Sequence, residues 1–199
     1  MPLPRELVAI TPKTPILREY EERPLGEKDV RIRSVLSAEK HGTTLAVYRG
    51  LSSLNEKRFD PQMGVFLPKD AGTSQTLSSF PMNLGNMTVG TATDIGSGVT
   101  RFRRGDRAYG YFPIRETHAV KEDAVMKAPS ELKDEELVCI DPAAVTLMAV
   151  RESRLKIGDA VAIFGGGAIG LMAVQISKLS GALRIICVEP IGMRRRAAE

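Results

Sequence analysis

The amino-acid sequence predicts two domains of different class: a β-rich domain over residues 1–128, and the first part of an α/β domain over residues 129–199. Up to about residue 125 the chain consists of short runs of β-forming residues between turn residues, and beyond it apolar residues recur at helical spacing. Near the end, an apolar run, a glycine-rich loop and a second apolar run follow one another, which is typical of a β-α-β unit. With 199 residues, 43% of them apolar, the chain is long enough to bury a core.

The β-rich part contains several predicted strands. ELVAI is an apolar run that TPKTP ends, and DVRIRSVL alternates in the manner of a half-buried strand. The run from Met87 to Phe112 has β-forming residues between glycines, which predicts hairpins that close into a barrel or sandwich. Residues 52–79 are polar and indicate a long surface excursion. We expect His118 to lie in an edge strand with a structural role.

The α/β part has a clear order of elements. Ser130 is a candidate N-cap, with acidic residues and then apolar positions at helical spacing after it. Strands are predicted at 160–164 and 185–188, with a helix at 169–179 between them and the start of another helix at 193–199.

Composition excludes several function classes. The formal net charge of +4 comes from charges scattered along the chain, and there is no Trp, so no nucleic-acid-binding surface is indicated. Residues 160–177 carry no charge, yet their four glycines favour a strand-turn-helix over a membrane span. Cys139 and Cys187 lie in apolar surroundings and are expected to be buried free thiols, and no secretory leader is visible. These features predict a cytoplasmic protein.

The glycine loop is the strongest chemical motif. Its G-x-G-x-x-G pattern follows a predicted strand and opens a helix, where free N–H groups favour a pyrophosphate. A carboxylate at the end of the next strand would accept the ribose hydroxyls and repel a 2′-phosphate, which favours NAD over NADP, although three consecutive arginines follow it at 194–196. The alternative is a packing turn beside a solvated acid. The candidate cofactor-binding residues are Gly165, Gly167, Ala168, Ile169, Gly170 and Glu189.

Four segments carry a family resemblance: DVRIRSVLSAEKHGTTLAVYRG, LGNMTVGTATDIGSGVTRFRRGDRAYGY, AAVTLMAV, and IGDAVAIFGGGAIGLMAVQISKLSG followed by CVEP. Through them the chain resembles the medium-chain dehydrogenase/reductase superfamily, the relatives of alcohol dehydrogenase and quinone oxidoreductase, over nearly its whole length. The resemblance implies a GroES-like catalytic domain followed by a Rossmann domain. It also implies a small-molecule substrate and a reaction that transfers hydride between a nicotinamide and an alcohol, a carbonyl or an activated double bond.

The resemblance also implies that this chain belongs to a zinc-independent branch. Zinc-containing members take their ligands from positions that match His41, Asn86, Met87 and Pro142 here. Only His41 is an ordinary zinc ligand, so a metal site would need neighbours such as Glu39, Asp141 or Cys139. No zinc is therefore expected.

Without a metal, alcohol oxidation needs a general base and hydrogen-bond donors. The candidate catalytic residues are His41 and Thr43. Thr43 matches the hydroxyl of the proton relay in zinc-containing relatives. The position of their relay histidine is occupied in this chain by Ala46, so a relay through His41 would be a different one. A loop histidine bonded to backbone is an equally open interpretation of His41. Asn86 is either a donor to a carbonyl or nicotinamide ribose, or an ordinary turn amide.

The sequence predicts only the first half of a doubly wound dinucleotide domain, which normally has two β-α-β-α-β halves. The strand at 160–164 is then expected to expose apolar surface unless another chain covers it. Three explanations are open: a truncated oxidoreductase, which is favoured, half of a split protein, or a module retained for binding. The alternative function is therefore an inactive fragment or an interaction module, which forms a homo-oligomer or is completed by a partner chain.

Overall fold

A computed structural model of the protein describes residues 3–40, 42–51, 57–68 and 80–199. The chain divides into two compact units, Met1–Val138 and Cys139–Glu199. The sequence placed the division at residue 128, whereas residues 129–138 belong to the first unit in the structure. An ion pair between Arg107 and Asp134 and the complete burial of Leu137 attach this segment to the β-rich part.

The first unit consists mainly of antiparallel sheets. A three-stranded sheet, in the order β2-β1-β6, contains β1 (Arg5–Thr11), β2 (Thr14–Glu19) and β6 (Met82–Asn83). A five-stranded sheet, in the order β10-β8-β7-β3-β9, contains β3 (Asp29–Ala38), β7 (Met87–Ile95), β8 (Arg107–Tyr111), β9 (Thr117–Lys121) and β10 (Met126–Lys127). The unit also has a hairpin, β4 (Lys57–Asp60) with β5 (Val65–Pro68), and two short helices, α1 (Thr43–Tyr48) and α2 (Asp134–Leu137).

The five-stranded sheet provides the core of the first unit. Val30 and Ile32 of β3 are buried on the same face, as the alternating sequence predicts, while Val35 is 63% exposed. β7 and β8 pair antiparallel, which confirms the predicted hairpin series. The core residues are Val30, Ile32, Ala92, Phe102, Ala108, Phe112 and Val125. Removing their apolar surface from water is the main favourable contribution to folding of this unit.

The second unit is a β-α-β arrangement with flanking helices, as the sequence predicts. The elements are α3 (Ile140–Glu152), β11 (Ala160–Phe164), α4 (Ala168–Leu179), β12 (Arg184–Val188) and α5 (Gly192–Ala198). Strands β11 and β12 pair in parallel, in a register that joins Ala160 to Arg184 and Phe164 to Val188. Helix α3 contacts α4 where the Thr146 hydroxyl donates to the carbonyl of Ile169 at 3.4 Å.

The two faces of the parallel strand pair differ in exposure. On one face Ile163 lies toward α4, and the side chains of Val161, Ile185 and Cys187 are half-buried. The opposite face carries Phe164, Ile186 and Val188, which are 81%, 51% and 45% exposed. This unit therefore presents an apolar sheet face that no described residue of the unit covers.

Two local predictions need correction. Ser130 does not cap a helix, because α2 begins only at Asp134. The N-cap residue is Lys133, whose N–H donates to the Glu136 carboxylate at 2.7 Å. This bond caps the start of α2 without a serine side chain. Cys139 and Cys187 are free, as expected, but they are half-buried rather than buried.

Three further expectations bear on how the chain is organised. Of the segment at 52–79, residues 57–68 form the β4-β5 hairpin, and the rest of it lies outside the described residues. His118 lies in β9 at an edge of the five-stranded sheet, as predicted. Among the described residues, no helix is long and apolar enough to cross a membrane.

His118 is a neutral imidazole inside the first unit. It is 5% exposed and its ring stacks on Phe112 with 4.9 Å between ring centroids. Its Nε2 has no hydrogen-bond partner among the described residues. Burial, assisted by the positive charge of Arg115, lowers the pKa of His118 to about 4.

This depressed pKa predicts a loss of stability in acid. The unfolded chain takes up a proton at His118 near the ordinary pKa of 6.5, while the folded chain does not until about pH 4. The free energy of unfolding should therefore fall as the pH is lowered from about 6.5 to 4, by at most about 3 kcal/mol from this group. His118→Met should remove that component, measured by urea unfolding at a series of pH values. Identical pH dependence in the two proteins would contradict the assignment.

Candidate functional site

The glycine loop begins where β11 ends. Gly165 follows Phe164 directly, and its N–H donates to the carbonyl of Val188 at 2.8 Å, which fastens the loop to the neighbouring strand. Its φ of 100° lies in the left-handed region, where a side chain is strained. A glycine at this position therefore allows the chain to leave the strand and turn into α4.

Gly170, the third glycine of the G-x-G-x-x-G fingerprint, allows α4 and the glycine loop to lie in contact. A Cβ on Gly170 would overlap the carbonyl oxygen of Gly165 and would also contact the Ile163 side chain at 3.7 Å. Gly170 is buried in the first turn of α4. The absence of a side chain is thus what allows α4 to pack directly on the end of β11, as the fingerprint predicts.

The start of α4 faces open space. Gly167 is the N-cap residue, with extended backbone, and no side chain caps the helix. A Cβ on Gly167 would meet no atom within 4 Å. Ala168 is half-buried and Ile169 is 39% exposed in the first turn. The backbone N–H groups of this turn are consequently accessible to a ligand, and a negatively charged group such as a pyrophosphate suits them in charge and in hydrogen bonding.

Glu189 lies at the end of β12, beside the loop. Its carboxylate accepts the N–H of Gly166 at 2.7 Å and the N–H of Ile191 at 2.8 Å. The N–H groups of Ile191 and then of Gly166 hold the pKa of the Glu189 carboxyl below its usual range, so this group is ionised at neutral pH. The side chain is 3% exposed, and Arg194 Nη1 lies 3.8 Å from its Oε2. The structure therefore brings the predicted acid and the predicted loop together.

The predicted catalytic residues lie in the first unit, and only part of that set is described. Thr43 is the first residue of α1 and is exposed. His41 lies outside the described residues, so its pairing with Thr43 stays a prediction. Nearby, the Glu39 carboxylate accepts the N–H of Gly85 at 2.6 Å and the N–H of Lys40 at 2.7 Å. Glu39 thus anchors the turn that leads to Asn86.

The positions that match zinc ligands in relatives have other contacts here. Asn86 donates its backbone N–H to the carbonyl of Ala38 at 2.9 Å, and Met87 is fully buried in β7. The carbonyl of Pro142 accepts the Thr146 hydroxyl at 2.7 Å. Over residues 3–40, 42–51, 57–68 and 80–199, no group of three or more His, Cys, Asp or Glu side chains is arranged to hold a metal ion.

Sequence inspection missed two participants in the site. Gly166 occupies a position that the fingerprint leaves free, yet it is buried and bonded to Glu189. Arg195 donates its Nη1 to the carbonyls of Glu189 and Pro190, both at 2.7 Å. The run of three consecutive glycines was a signal for the first, because the motif accounts for only two of them. No sequence signal distinguishes Arg195 from its two arginine neighbours.

Comparisons with known proteins agree with this architecture. The chain is 36% identical over 193 residues to D-guloside 3-dehydrogenase of Escherichia coli (strain K12), which covers 96% of this chain and 55% of the relative. The crystal structure of 2R,3R-butanediol dehydrogenase from Bacillus subtilis superposes with a TM-score of 0.73 at 25% identity, covering 98% of this chain and 60% of that one. Quinone oxidoreductase of Escherichia coli complexed with NADPH shares the fold, with a TM-score of 0.70 at 16% identity and 98% and 55% coverage.

The fold and the loop together define a protein with a β-rich GroES-like domain followed by a β-α-β part of a Rossmann domain. Its homologues and structural neighbours are members of the medium-chain dehydrogenase/reductase superfamily. The chain spans about half the length of the curated relatives it matches. A search of protein-family models finds no match.

Substitutions of Gly170 and of Gly167, the two glycines at the start of α4, should differ in their effect on stability. Gly170→Ala forces a methyl group into the Gly165 carbonyl and should destabilise the second unit by about 1–3 kcal/mol. Gly167→Ala adds a methyl group in open space and should leave stability nearly unchanged. Thermal unfolding followed by circular dichroism measures both. Equal stability of the Gly170→Ala variant and the wild type would contradict the observed packing.

Proposed function

We propose that the chain forms the adenosine and pyrophosphate side of a nicotinamide dinucleotide site in an NAD(P)-dependent oxidoreductase. The observation that carries the proposal is the loop from Gly165 to Gly170, with open space in front of Gly167 and Glu189 at the adjacent strand end. When bound, the dinucleotide supplies or accepts the hydride. The reaction we propose is hydride transfer between the nicotinamide and an alcohol, a carbonyl or an activated double bond.

The contribution of this chain to such a site is binding and orientation. The backbone at Gly167 leaves room for a pyrophosphate, and the first-turn N–H groups of α4 would donate to its oxygens. Close packing of Gly170 keeps that helix start at the end of β11. The loop would therefore hold the dinucleotide through backbone atoms, and this binding would not depend on which substrate reacts.

The identity of the coenzyme depends on the charges around Glu189. An ionised carboxylate at this strand end disfavours the 2′-phosphate of NADP, which is the basis for proposing NAD. Arg194 Nη1 lies within 3.8 Å of that carboxylate and its side chain is 48% exposed, so a 2′-phosphate would also meet a positive charge. The Escherichia coli quinone oxidoreductase was crystallised with NADPH. Both reduced coenzymes should therefore be titrated.

The proposal does not include zinc. Asn86, Met87 and Pro142 stand at the positions that match ligands in the zinc-containing relatives, and none of the three is an ordinary zinc ligand. In place of a metal, we propose that Thr43 donates a hydrogen bond to the substrate oxygen and that His41 acts as the proton acceptor. The exposure of Thr43 at the start of α1 supports the first of these roles.

A second candidate function is favoured by the apolar surface of the second unit. The sheet face with Phe164, Ile186 and Val188 is exposed, and such a face is normally covered by protein. On this alternative, the chain is an interaction module that associates with a second copy or with a complementing chain through this face.

The proposed function predicts that the purified chain binds NADH. Because the chain has no Trp, NADH emission can be followed directly, and it should increase in a saturable manner on binding. Gly167→Ala should weaken binding by on the order of tenfold or more, since its methyl group occupies the space that the pyrophosphate needs. Gly42→Ala is a matched control in the first unit, where a methyl group also meets no atom within 4 Å. Absence of saturable binding by the wild type would overturn the proposal.

The second candidate function predicts association through the exposed sheet face. Light scattering after size-exclusion chromatography should give a mass above the 21.7 kDa of one chain. Phe164→Lys should return the mass to that of a single chain, because a charge on this face opposes burial. Leu17→Lys, which changes an apolar side chain 64% exposed in the first unit, is the control. A monomeric wild-type chain that binds NADH would eliminate this candidate.

A further inference from the structure

Three aliphatic side chains at one end of the second unit are almost fully exposed. Ile157, Leu179 and Leu183 are 89%, 87% and 82% exposed. Ile157 comes shortly before β11, Leu179 is the last residue of α4, and Leu183 directly precedes β12. Because the glycine loop follows β11, the three residues lie at the opposite end of the β-α-β arrangement from that loop.

Contacts between two turns bring these three residues together, and we call them the aliphatic patch. The Leu183 N–H donates to the carbonyl of Asp159 at 2.8 Å. A Cβ on Gly181 would lie 2.8 Å from Cγ1 of Ile157, so the turn between Leu179 and Leu183 lies directly against Ile157. The patch is therefore one surface, built from the turn before β11 and the turn before β12.

Basic residues flank the patch, and each of its three members has a basic neighbour in sequence. The two segments that carry it, residues 151–159 and 178–184, contain five basic residues against two acidic ones. One acid, Asp159, is engaged locally, because its carboxylate accepts the N–H of Lys156 at 2.8 Å. Over the part of the chain that the structure describes, none of the five basic residues forms an ion pair, and all five are exposed. They are Arg151, Arg154, Lys156, Lys178 and Arg184.

The exposure and the charge together favour one kind of partner. Side chains that are more than four-fifths exposed project from the surface, whereas a helical peptide is normally bound in a groove. A second copy of the chain would bring unpaired positive charges together. An anionic bilayer suits both features, because its acyl boundary takes up aliphatic side chains while Lys and Arg stay among the phosphates of the headgroups.

We propose that the aliphatic patch and its basic neighbours form a docking surface for the face of an anionic lipid bilayer. The aliphatic side chains enter the headgroup region, and the basic side chains hold the unit there by charge. Docking leaves the glycine loop free, since the five residues of β11 separate the patch from the loop by about 16 Å. The proposal does not rest on the proposed function.

Co-sedimentation with lipid vesicles tests the aliphatic contribution. The full chain should sediment with vesicles of phosphatidylcholine and phosphatidylglycerol and stay in solution with phosphatidylcholine alone. Leu179→Asp should lower the partition coefficient by on the order of tenfold or more, because a carboxylate replaces an apolar group in the bilayer interface. Leu17→Asp is the matched control, since it makes the same change at a side chain that is 64% exposed in the first unit.

The electrostatic contribution is tested by removing two charges. Lys178→Gln combined with Arg184→Gln should also lower the partition coefficient by on the order of tenfold or more, and raised salt should weaken binding of the wild type. Lys13→Gln combined with Arg49→Gln changes the net charge equally at exposed positions of the first unit and should leave the partition coefficient within about twofold of the wild-type value.

Each remaining outcome overturns the proposal. Equal sedimentation with neutral and anionic vesicles, or equal losses in the Leu17 and Leu179 variants, would show that the patch is not the docking surface. Binding to soluble polyglutamate that requires Leu179, without binding to vesicles, would indicate an acidic protein partner instead. The melting temperatures of the variants should match the wild type, because the replaced side chains are exposed. If Leu179→Asp lowers the melting temperature, Leu183→Ser takes its place.

NADH titration of the same preparations keeps this proposal separate from the proposed function. Leu179→Asp should leave NADH binding unchanged, because the patch and the glycine loop lie at opposite ends of β11. A chain that sediments with anionic vesicles and binds no NADH would support the docking surface and overturn only the proposed function.

Discussion

The close approach of Gly170 to the carbonyl of Gly165 is the constraint on which the second unit depends. Because no side chain separates them, α4 starts against the end of β11, and no side chain caps the N–H groups of its first turn. The parallel register of β11 and β12 then brings the residues after Val188 beside the same loop. The position of Glu189 and its bonds to Gly166 and Ile191 follow from that arrangement.

Much of this unit was predictable because its motif is local. Strand, loop, helix and strand follow one another over about thirty residues, and Gly165 and Gly170 each answer a conformational or steric requirement within that stretch. The direction of the Glu189 carboxylate was not predictable. A strand-end acid has the same sequence whether it faces a ligand or turns back to a loop amide, and only the backbone positions of Gly166 and Ile191 decide between the two.

The first unit shows the same limit at longer range. Alternation in β3 indicated which residues are buried, since it repeats every two residues. The assignment of residues 129–138 to this unit depends instead on Arg107, which bonds to Asp134 across a large separation in sequence. Local composition cannot contain that information. Thr43, the proposed hydrogen-bond donor to the substrate, was identified by resemblance to a family and not by a local pattern.

The contact between Gly166 and Glu189 couples two positions that lie 23 residues apart. A Cβ at 166 would lie 3.1 Å from Cγ and 3.3 Å from Cβ of Glu189, so a side chain there would press on atoms that Glu and Asp share. The two positions should therefore change together during divergence: lineages that keep an acid at 189 should retain glycine at 166, and lineages with a side chain that lacks a Cγ at 189 are freer to replace it. Gly166 is, in that sense, a record of the acid that follows it.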